Sequence, residues 1–217
     1  MDYALARANM VANQIQTNRV TDPLVIEAMG AVPREPFLAT GYKGVAYVDE
    51  DLPLTEGRWL LEPVSMGRML QTAAIKEGDL VLDVGCATGY STAVLSRMAG
   101  TVVAVESNEE LVAKATESLV ELGTDNAVVI PGSLREGYAK QAPYDVIIIA
   151  CGSIPSVPTE LRDQLADGGR LVALVNEGGS GRIVLISRHG EAFGQRVMYD
   201  ASSPVVSDFV DAEEFVF

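Results

Sequence analysis

The order of apolar segments predicts a doubly wound α/β fold: a mostly parallel sheet wrapped by helices, with N-terminal helices before it and an antiparallel edge at its C-terminal end. Three observations predict it. Short, nearly continuous apolar runs, LVLDV, TVVAVE, AVVIP and YDVIIIA, alternate with helical stretches near 89–99 and 108–122, and strands of that texture are covered on both faces. The first of them enters a small-residue turn, Gly85-Cys86-Ala87-Thr88-Gly89, that leads into a helix, an arrangement that puts a ligand at the carboxyl end of a strand. The chain then closes with RLVALV as a strand and RIVLISRHGEAFGQRVMY as a hairpin turning near His189-Gly190, which suits an antiparallel edge.

Residues 2–15 place Ala4, Ala6, Met10, Val11, Ala12 and Ile15 at helical spacing. Thr21 is the expected N-cap of a second helix that has Pro23 in its first turn and runs to about Val32. From Pro33 to Pro63 periodicity is lost and Pro, Gly, Tyr and Asp recur, which reads as a long irregular segment laid over the folded body. Loops of that length usually carry function. Helix returns at 64–75, and Pro155 to Leu165 reads as another helix. The acids Asp208, Asp211, Glu213 and Glu214 read as a solvated face before a final short strand, Phe215-Val216-Phe217. With 217 residues the chain fits one domain, in which 1–76 form a helical and loop region and 77–217 the sheet.

Sixteen Lys and Arg against 30 Asp and Glu give a net charge of −14 and a pI near 4.4. Such a field argues against nucleic acid and anionic membrane surfaces as partners. The N-terminus lacks a basic stretch followed by an apolar run, no segment is apolar enough to span a bilayer, and a soluble, cytoplasmic protein is expected. Cys86 and Cys151 stand far apart with no CxxC, so neither a disulfide framework nor a metal site is indicated. Both read as small buried fillers, and the single His189 as a surface residue in a turn.

Asp83 ends the first strand of the sheet and Glu106 ends the next, 23 positions later, where an acid can accept both hydroxyls of a ribose. A strand-end acid can also cap the following helix, a role Asn108 would fill nearby. A nicotinamide fingerprint needs GxGxxG, but Ala87 and Tyr90 take the second and third glycine places, and no P-loop lysine is present. What remains, Asp83-x-Gly85-x-Ala87-x-Gly89 with Glu106, suits S-adenosylmethionine, which carries an amino group, a sulfonium and a ribose but no phosphate.

At these residues the chain resembles the protein-L-isoaspartate O-methyltransferase family over nearly its whole length. The resemblance is carried by Met10-Val11 to Gln14-Ile15, Val20, Asp22-Pro23, Val32-Pro33-Arg34-Glu35 with Phe37, Ala46-Tyr47-Val48-Asp49 to Leu52-Pro53-Leu54, the Leu82-to-Tyr90 loop, Ala142-Pro143-Tyr144-Asp145 and Asp167 to Val172. It implies a class I, Rossmann-like methyltransferase sheet, often with altered order in the last strands, and methyl transfer to an isoaspartyl carboxylate. Where the family has Thr-Ile-Ser-Gln-Pro beside the reacting groups, this chain has Trp59-Leu60-Leu61-Glu62-Pro63. Thr55 stands where glycine is usual, and Gly132-Ser133 replaces a Gly-Asp pair that reaches adenine.

The cofactor set is thus Asp83, Gly85, Ala87, Gly89, Glu106 and Ser133, and the acceptor set Thr55, Trp59, Leu61 and Glu62, with no catalytic residue assigned. Trp59 reads equally as a core anchor or a pocket wall, and Glu62 would repel a carboxylate if it points inward. Leu61 offers no hydroxyl to an oxyanion, so weak or absent isoaspartyl transfer is expected, with 59–62 setting acceptor choice. The alternatives are a different protein or small-molecule acceptor, or a fold that keeps the cofactor without turnover.

Overall fold

The computed structural model describes residues 1–55 and 57–210. Its main sheet has seven strands in the order β5-β4-β3-β6-β7-β8-β9. β3 (Leu80–Val84), β4 (Thr101–Glu106), β5 (Ala127–Pro131), β6 (Tyr144–Ile154) and β7 (Leu165–Glu177) are mutually parallel, while β8 (Ser180–His189) and β9 (Ala192–Asp200) complete an antiparallel meander. The chain passes from β3 to β4 on one side and later returns to lay β6 on the other. The carboxyl ends of β3 and β6 therefore flank the point where the winding reverses, which is where ligands bind in such sheets.

Apart from the edge strand β5, where Val128 is exposed against the expectation of cover on both faces, the apolar runs bury alternate residues on opposite faces. Val81, Val102, Val146, Ile148 and Val172 face a core shared with the N-terminal helices, and Leu82, Val103, Ile147, Ile149 and Leu171 face a second core on the far side. That two-sided burial is why these strands lack a polar alternation. On the first face lie α1 (Tyr3–Met10), extended by a π-helical turn at Val11–Ile15, then α2 (Pro23–Ala31), α3 (Pro63–Ala73) and α4 (Tyr90–Ser96). α5 (Glu109–Glu121) packs on β4 and β5 and is capped by Asn108, whose Oδ1 accepts from the Glu110 and Leu111 amides. Among the described residues no helix is long and apolar enough to cross a membrane.

Four local expectations are corrected. The N-cap of α2 is Asp22, whose Oδ1 accepts the Leu24 amide at 2.9 Å; the Thr21 amide is instead held by Gln71 Oε1 of α3 at 2.6 Å. The 33–63 segment is not wholly irregular, because Leu52–Thr55 (β1) and Arg58–Leu60 (β2) pair as a small antiparallel hairpin. Strands this short, one carrying Pro53, give too little alternation to be seen in sequence. Pro155 to Leu165 holds only a four-residue helix, α6 (Thr159–Arg162), because β6 runs on to Ile154 and β7 already begins at Leu165. Ser153 keeps β6 extended by pairing with the C-terminal segment, its amide donating to Pro204 O and its carbonyl accepting from Val206 N, both at 2.9 Å. Asp208 is the fourth, and belongs to the site below. The expected strand 215–217 and the acids Asp211, Glu213 and Glu214 lie outside the described residues.

The two candidate caps of α2 are separable by mutation. Asp22→Ala should lower stability in urea denaturation by about 1 kcal/mol, the usual cost of losing an N-cap. Thr21→Ala should change it by less than about half of that, since the main chain of Thr21 is what Gln71 holds.

Candidate active site

The carboxyl ends of β3, β4 and β6 meet under two coverings: the β1–β2 hairpin and the C-terminal segment around 203–209. The loop after β3 folds back on β4, with Gly85 N donating to Val105 O at 2.8 Å and Gly89 N to Cys86 O at 2.8 Å. Gly85 has φ +76°, and a Cβ there would collide with Cys151 of β6. Gly89 has φ +97°, and a Cβ would press on Ala115 of α5 at 3.2 Å. These are packing needs that only glycine meets. Ala87 holds φ +49°, a left-handed conformation that costs a non-glycine residue about 1 kcal/mol, and its amide is aimed at Glu106 Oε2 at 3.0 Å.

Glu106 is fully buried and saturated. It accepts from the amides of Ala87 at 3.0 Å, Ser107 at 2.8 Å and Asn108 at 3.0 Å. It also takes a two-pronged ion pair from Arg58 of β2, with Nη2 at 2.8 Å from Oε1 and Nε at 3.0 Å from Oε2. Arg58 is buried as well, and Asp208 grips its other side, with Oδ2 at 2.8 Å from Nη1 and Oδ1 at 3.1 Å from Nη2. Burial works against the Arg58 charge, but the bonds to Glu106 and Asp208 outweigh it and raise its pKa. Burial likewise opposes ionisation of Asp208, yet hydrogen bonds from Arg58 and Ser107 leave its carboxyl below the usual range. Asp208 is thus a structural ion-pair partner rather than part of a solvated face.

Asp83 sits beside this cluster without saturating it. Its Oδ2 accepts from Thr92 Oγ1 at 2.6 Å and Ser91 Oγ at 2.7 Å, while Oδ1 is buried with no hydrogen-bond partner among the described residues. Burial pushes its pKa up to about 6 against those two hydrogen bonds, with the nearby Glu106 charge adding to the rise. An unmatched carboxylate oxygen in an apolar surround is a receptor for a cation or a strong donor. Burial also raises Cys151 to about 12 and Cys86 well above its ordinary value, so both thiols stay protonated.

The acceptor residues separate. Trp59 and Leu61 line a cavity of about 10 Å³ together with Leu60, Gly85, Ala87 and Tyr90. Thr55 instead edges an open groove of about 240 Å³ formed with Arg58, Ser107, Asn108, Leu111 and Asp208. Glu62 does not point inward: its carboxylate accepts from Ser65 Oγ at the start of α3, and its amide donates to Asp51 Oδ1 at 2.7 Å. Burial, and then the neighbouring Asp49 and Asp51 charges, raise its pKa despite the Ser65 bond. Ser133 lies exposed after β5, where its Oγ accepts the Glu136 amide at 3.4 Å, and it lines neither cavity. His189 is exposed at the end of β8, beside the turn rather than in it.

Sequence reasoning missed Arg58 and Asp208. The available signal was one charged residue inside the apolar run Arg58-Trp59-Leu60-Leu61, since a charge flanked by strand residues is buried only when paired. It also left Arg34 without a role. The Arg34 side chain is completely buried, bonds the carbonyls of Ala46 at 2.7 Å and Leu61 at 2.8 Å, and lies 5.0 Å from the Tyr90 ring centre.

A sheet of this topology, with acids ending its first two central strands and a glycine turn between them, defines a class I S-adenosylmethionine-dependent methyltransferase. The family model for protein-L-isoaspartate (D-aspartate) O-methyltransferase matches residues 6–206, and the chain belongs to that family. Among named relatives, a protein-L-isoaspartate O-methyltransferase of Koribacter versatilis is 42% identical over 170 residues, 78% of this chain and 76% of the relative. One from Rhodopseudomonas palustris is 40% identical over 187 residues, 86% of this chain and 76% of the relative. The fold also matches a solved protein from Plasmodium falciparum, described as a protein-L-isoaspartate O-methyltransferase in complex with S-adenosyl-L-homocysteine. That match has a TM-score of 0.78 at 19% identity and covers 96% of this chain and 99% of that one. A further structure titled protein-L-isoaspartate O-methyltransferase aligns with a TM-score of 0.80 at 24% identity over 92% of this chain, which spans 65% of that longer one.

The raised pKa of Asp83 has a signed consequence for stability. A carboxyl whose folded pKa of about 6 exceeds its unfolded value binds more protons when folded, so its contribution to stability falls as pH rises from about 4 to 6. Asp83→Asn removes that term. From pH 4 to pH 7 the urea-denaturation stability of Asp83→Asn should gain on that of the unmodified protein by about 2–3 kcal/mol, two pKa units being about 2.7 kcal/mol. A pH-independent difference would mean that Asp83 titrates normally.

Proposed function

We propose that this protein transfers a methyl group from S-adenosylmethionine to the free carboxylate of isoaspartyl residues in proteins. The observation that carries the reading is the family match across residues 6–206. When bound, S-adenosylmethionine supplies a methyl group on a sulfonium leaving group, so the protein's contribution is to orient an acceptor and exclude water.

The donor set suits this ligand. Asp83 Oδ1 is an unmatched buried acceptor suited to an ammonium, and the strand-end position of Glu106 supports a role toward the ribose hydroxyls. Gly85 and Gly89 keep side chains out of the loop, and Ala87 contributes its compact backbone turn. The space does not suit it in the arrangement observed. About 10 Å³ remains between Trp59, Leu61, Gly85 and Tyr90, whereas small-molecule pockets occupy about 300–1,000 Å³.

An anionic acceptor is supported by Arg34. Among the described residues the buried arginines are Arg34 and Arg58, and Arg34 bonds carbonyls rather than a carboxylate. Its charge lies against Leu61 and Tyr90, both lining the small cavity. Glu62, turned back onto Ser65, does not line that cavity. In this reading Trp59 and Leu61 are the acceptor wall, Thr55 stands apart on the open groove, and Leu61 leaves an acceptor oxygen without a side-chain hydroxyl.

Two outcomes are expected. Asp83→Ala should weaken binding of S-adenosylhomocysteine in calorimetry by about 1.5–3 kcal/mol, the worth of a hydrogen bond to a charged group. In methyl transfer from labelled S-adenosylmethionine to an isoaspartyl peptide, read as base-released methanol, the unmodified protein should turn over slowly. Leu61→Ser should raise that rate at least about tenfold, a conservative share of what one oriented donor supplies. No transfer by either protein, with S-adenosylhomocysteine binding intact, would remove the isoaspartyl assignment.

A further inference from the structure

The Glu106 carboxylate has about four acceptor positions, and all are used. Three go to the amides of Ala87, Ser107 and Asn108, which the loop after β3 and the start of α5 hold in place. Two further N–H groups come from Arg58, among the described residues the one side chain from another element bonded to it, so the donors more than fill the carboxylate; the Ser107 hydroxyl, 3.4 Å away, donates to Asp208. Ribose hydroxyls could reach this carboxylate only by replacing a donor, and the main-chain donors cannot leave without unfolding the loop that carries them. The exchangeable donor is the guanidinium. Arg58 is carried by a two-strand hairpin whose neighbour Trp59 closes over Gly152 of β6 and lines the small cavity.

Arg58 also has somewhere to go. Its second partner, Asp208, is part-exposed, with 24% of its side-chain surface accessible, and borders the open groove with Thr55, Ser107 and Asn108. A guanidinium that releases Glu106 can keep Asp208, so the charge need not be left buried and unpaired, the costly outcome for a broken buried pair.

We infer that Arg58 is an internal occupant of the cofactor's ribose position: the β1–β2 hairpin is a gate, closed by the Arg58–Glu106 pair, and cofactor entry exchanges Glu106 from Arg58 to ribose while Arg58 stays with Asp208. This rests on the cofactor assignment of Glu106 and not on the identity of the acceptor. The apparent affinity of a ligand that binds only the open arrangement is reduced by the fraction of molecules that are open. Removing the closing pair therefore tightens binding, the opposite of what loss of a contact residue does.

The test is calorimetry of the full chain with S-adenosylhomocysteine, comparing the unmodified protein with Arg58→Gln, which cannot form the two-pronged pair. At least about tenfold tighter binding by Arg58→Gln is expected, corresponding to an open fraction of about a tenth or less in the unmodified protein. Equal or weaker binding by the variant, or binding by neither protein, would overturn the gate. Trp59, the only tryptophan in the chain, gives a second readout that survives a poorly folded variant. In the unmodified protein its emission should shift on adding S-adenosylhomocysteine, with an observed rate that levels off at high ligand because opening limits it. Saturating binding with unchanged emission would also overturn the gate. A gain of affinity in Arg58→Gln without transfer to an isoaspartyl peptide keeps the gate and discards the acceptor reading.

Discussion

The pairing of Arg58 with Glu106 is the constraint around which the upper surface of this protein is arranged. It joins four pieces of chain distant in sequence: the hairpin that carries Arg58, the end of β4, the glycine turn whose Ala87 amide shares the carboxylate, and the C-terminal segment tied in through Asp208. A buried pair of this kind contributes little against a well-packed apolar alternative, but removing one partner typically costs about 3–5 kcal/mol, because the other is left charged and dry. Every route out of the closed arrangement therefore needs a replacement partner for Glu106. In the proposed gate two hydroxyls on adjacent carbons are such a partner, so that the residue sealing the site would also set what opens it.

The neighbouring acid behaves in the opposite way. Asp83 is buried with one oxygen satisfied by Ser91 and Thr92 and the other unmatched, and burial raises its pKa to about 6. The two strand-end acids thus sit in different states before any ligand arrives, one neutralised by an internal cation and one awaiting an external one. Sites that store unfavourable electrostatics in this way trade stability for binding. On the acceptor side the same economy is missing. In the proposed reading Leu61 and Trp59 fill space where a carboxylate would want donors, and an anion would be drawn by the deeper charge of Arg34.

Much of the sheet was legible in the sequence because burial on both faces removes polar residues from β3, β4 and β6, and the turn residues between them are small for steric reasons visible at Gly85 and Gly89. Asp83 and Glu106 were legible for the same reason, as acids in strand-end positions where an apolar residue would otherwise stand. The cap of α2 was misassigned by one residue because Thr21 and Asp22 are both good caps and the choice is made by Gln71, 50 positions away. The role of Asp208 was out of reach, since its partner Arg58 is 150 positions distant and nothing local distinguishes it from the acids that follow. The short hairpin escaped for a similar reason. Its strands exist because Arg58 and Leu60 are buried against the sheet, not because their own pattern demands them.

The most direct test of this account is a crystal structure of the full chain with S-adenosylhomocysteine, read at a single carboxylate. Glu106 hydrogen-bonded to both ribose hydroxyls, with Arg58 withdrawn from it and still paired to Asp208, is the expected result. A bound ligand whose ribose lies elsewhere, with both Glu106 oxygens still held by Arg58, would contradict it.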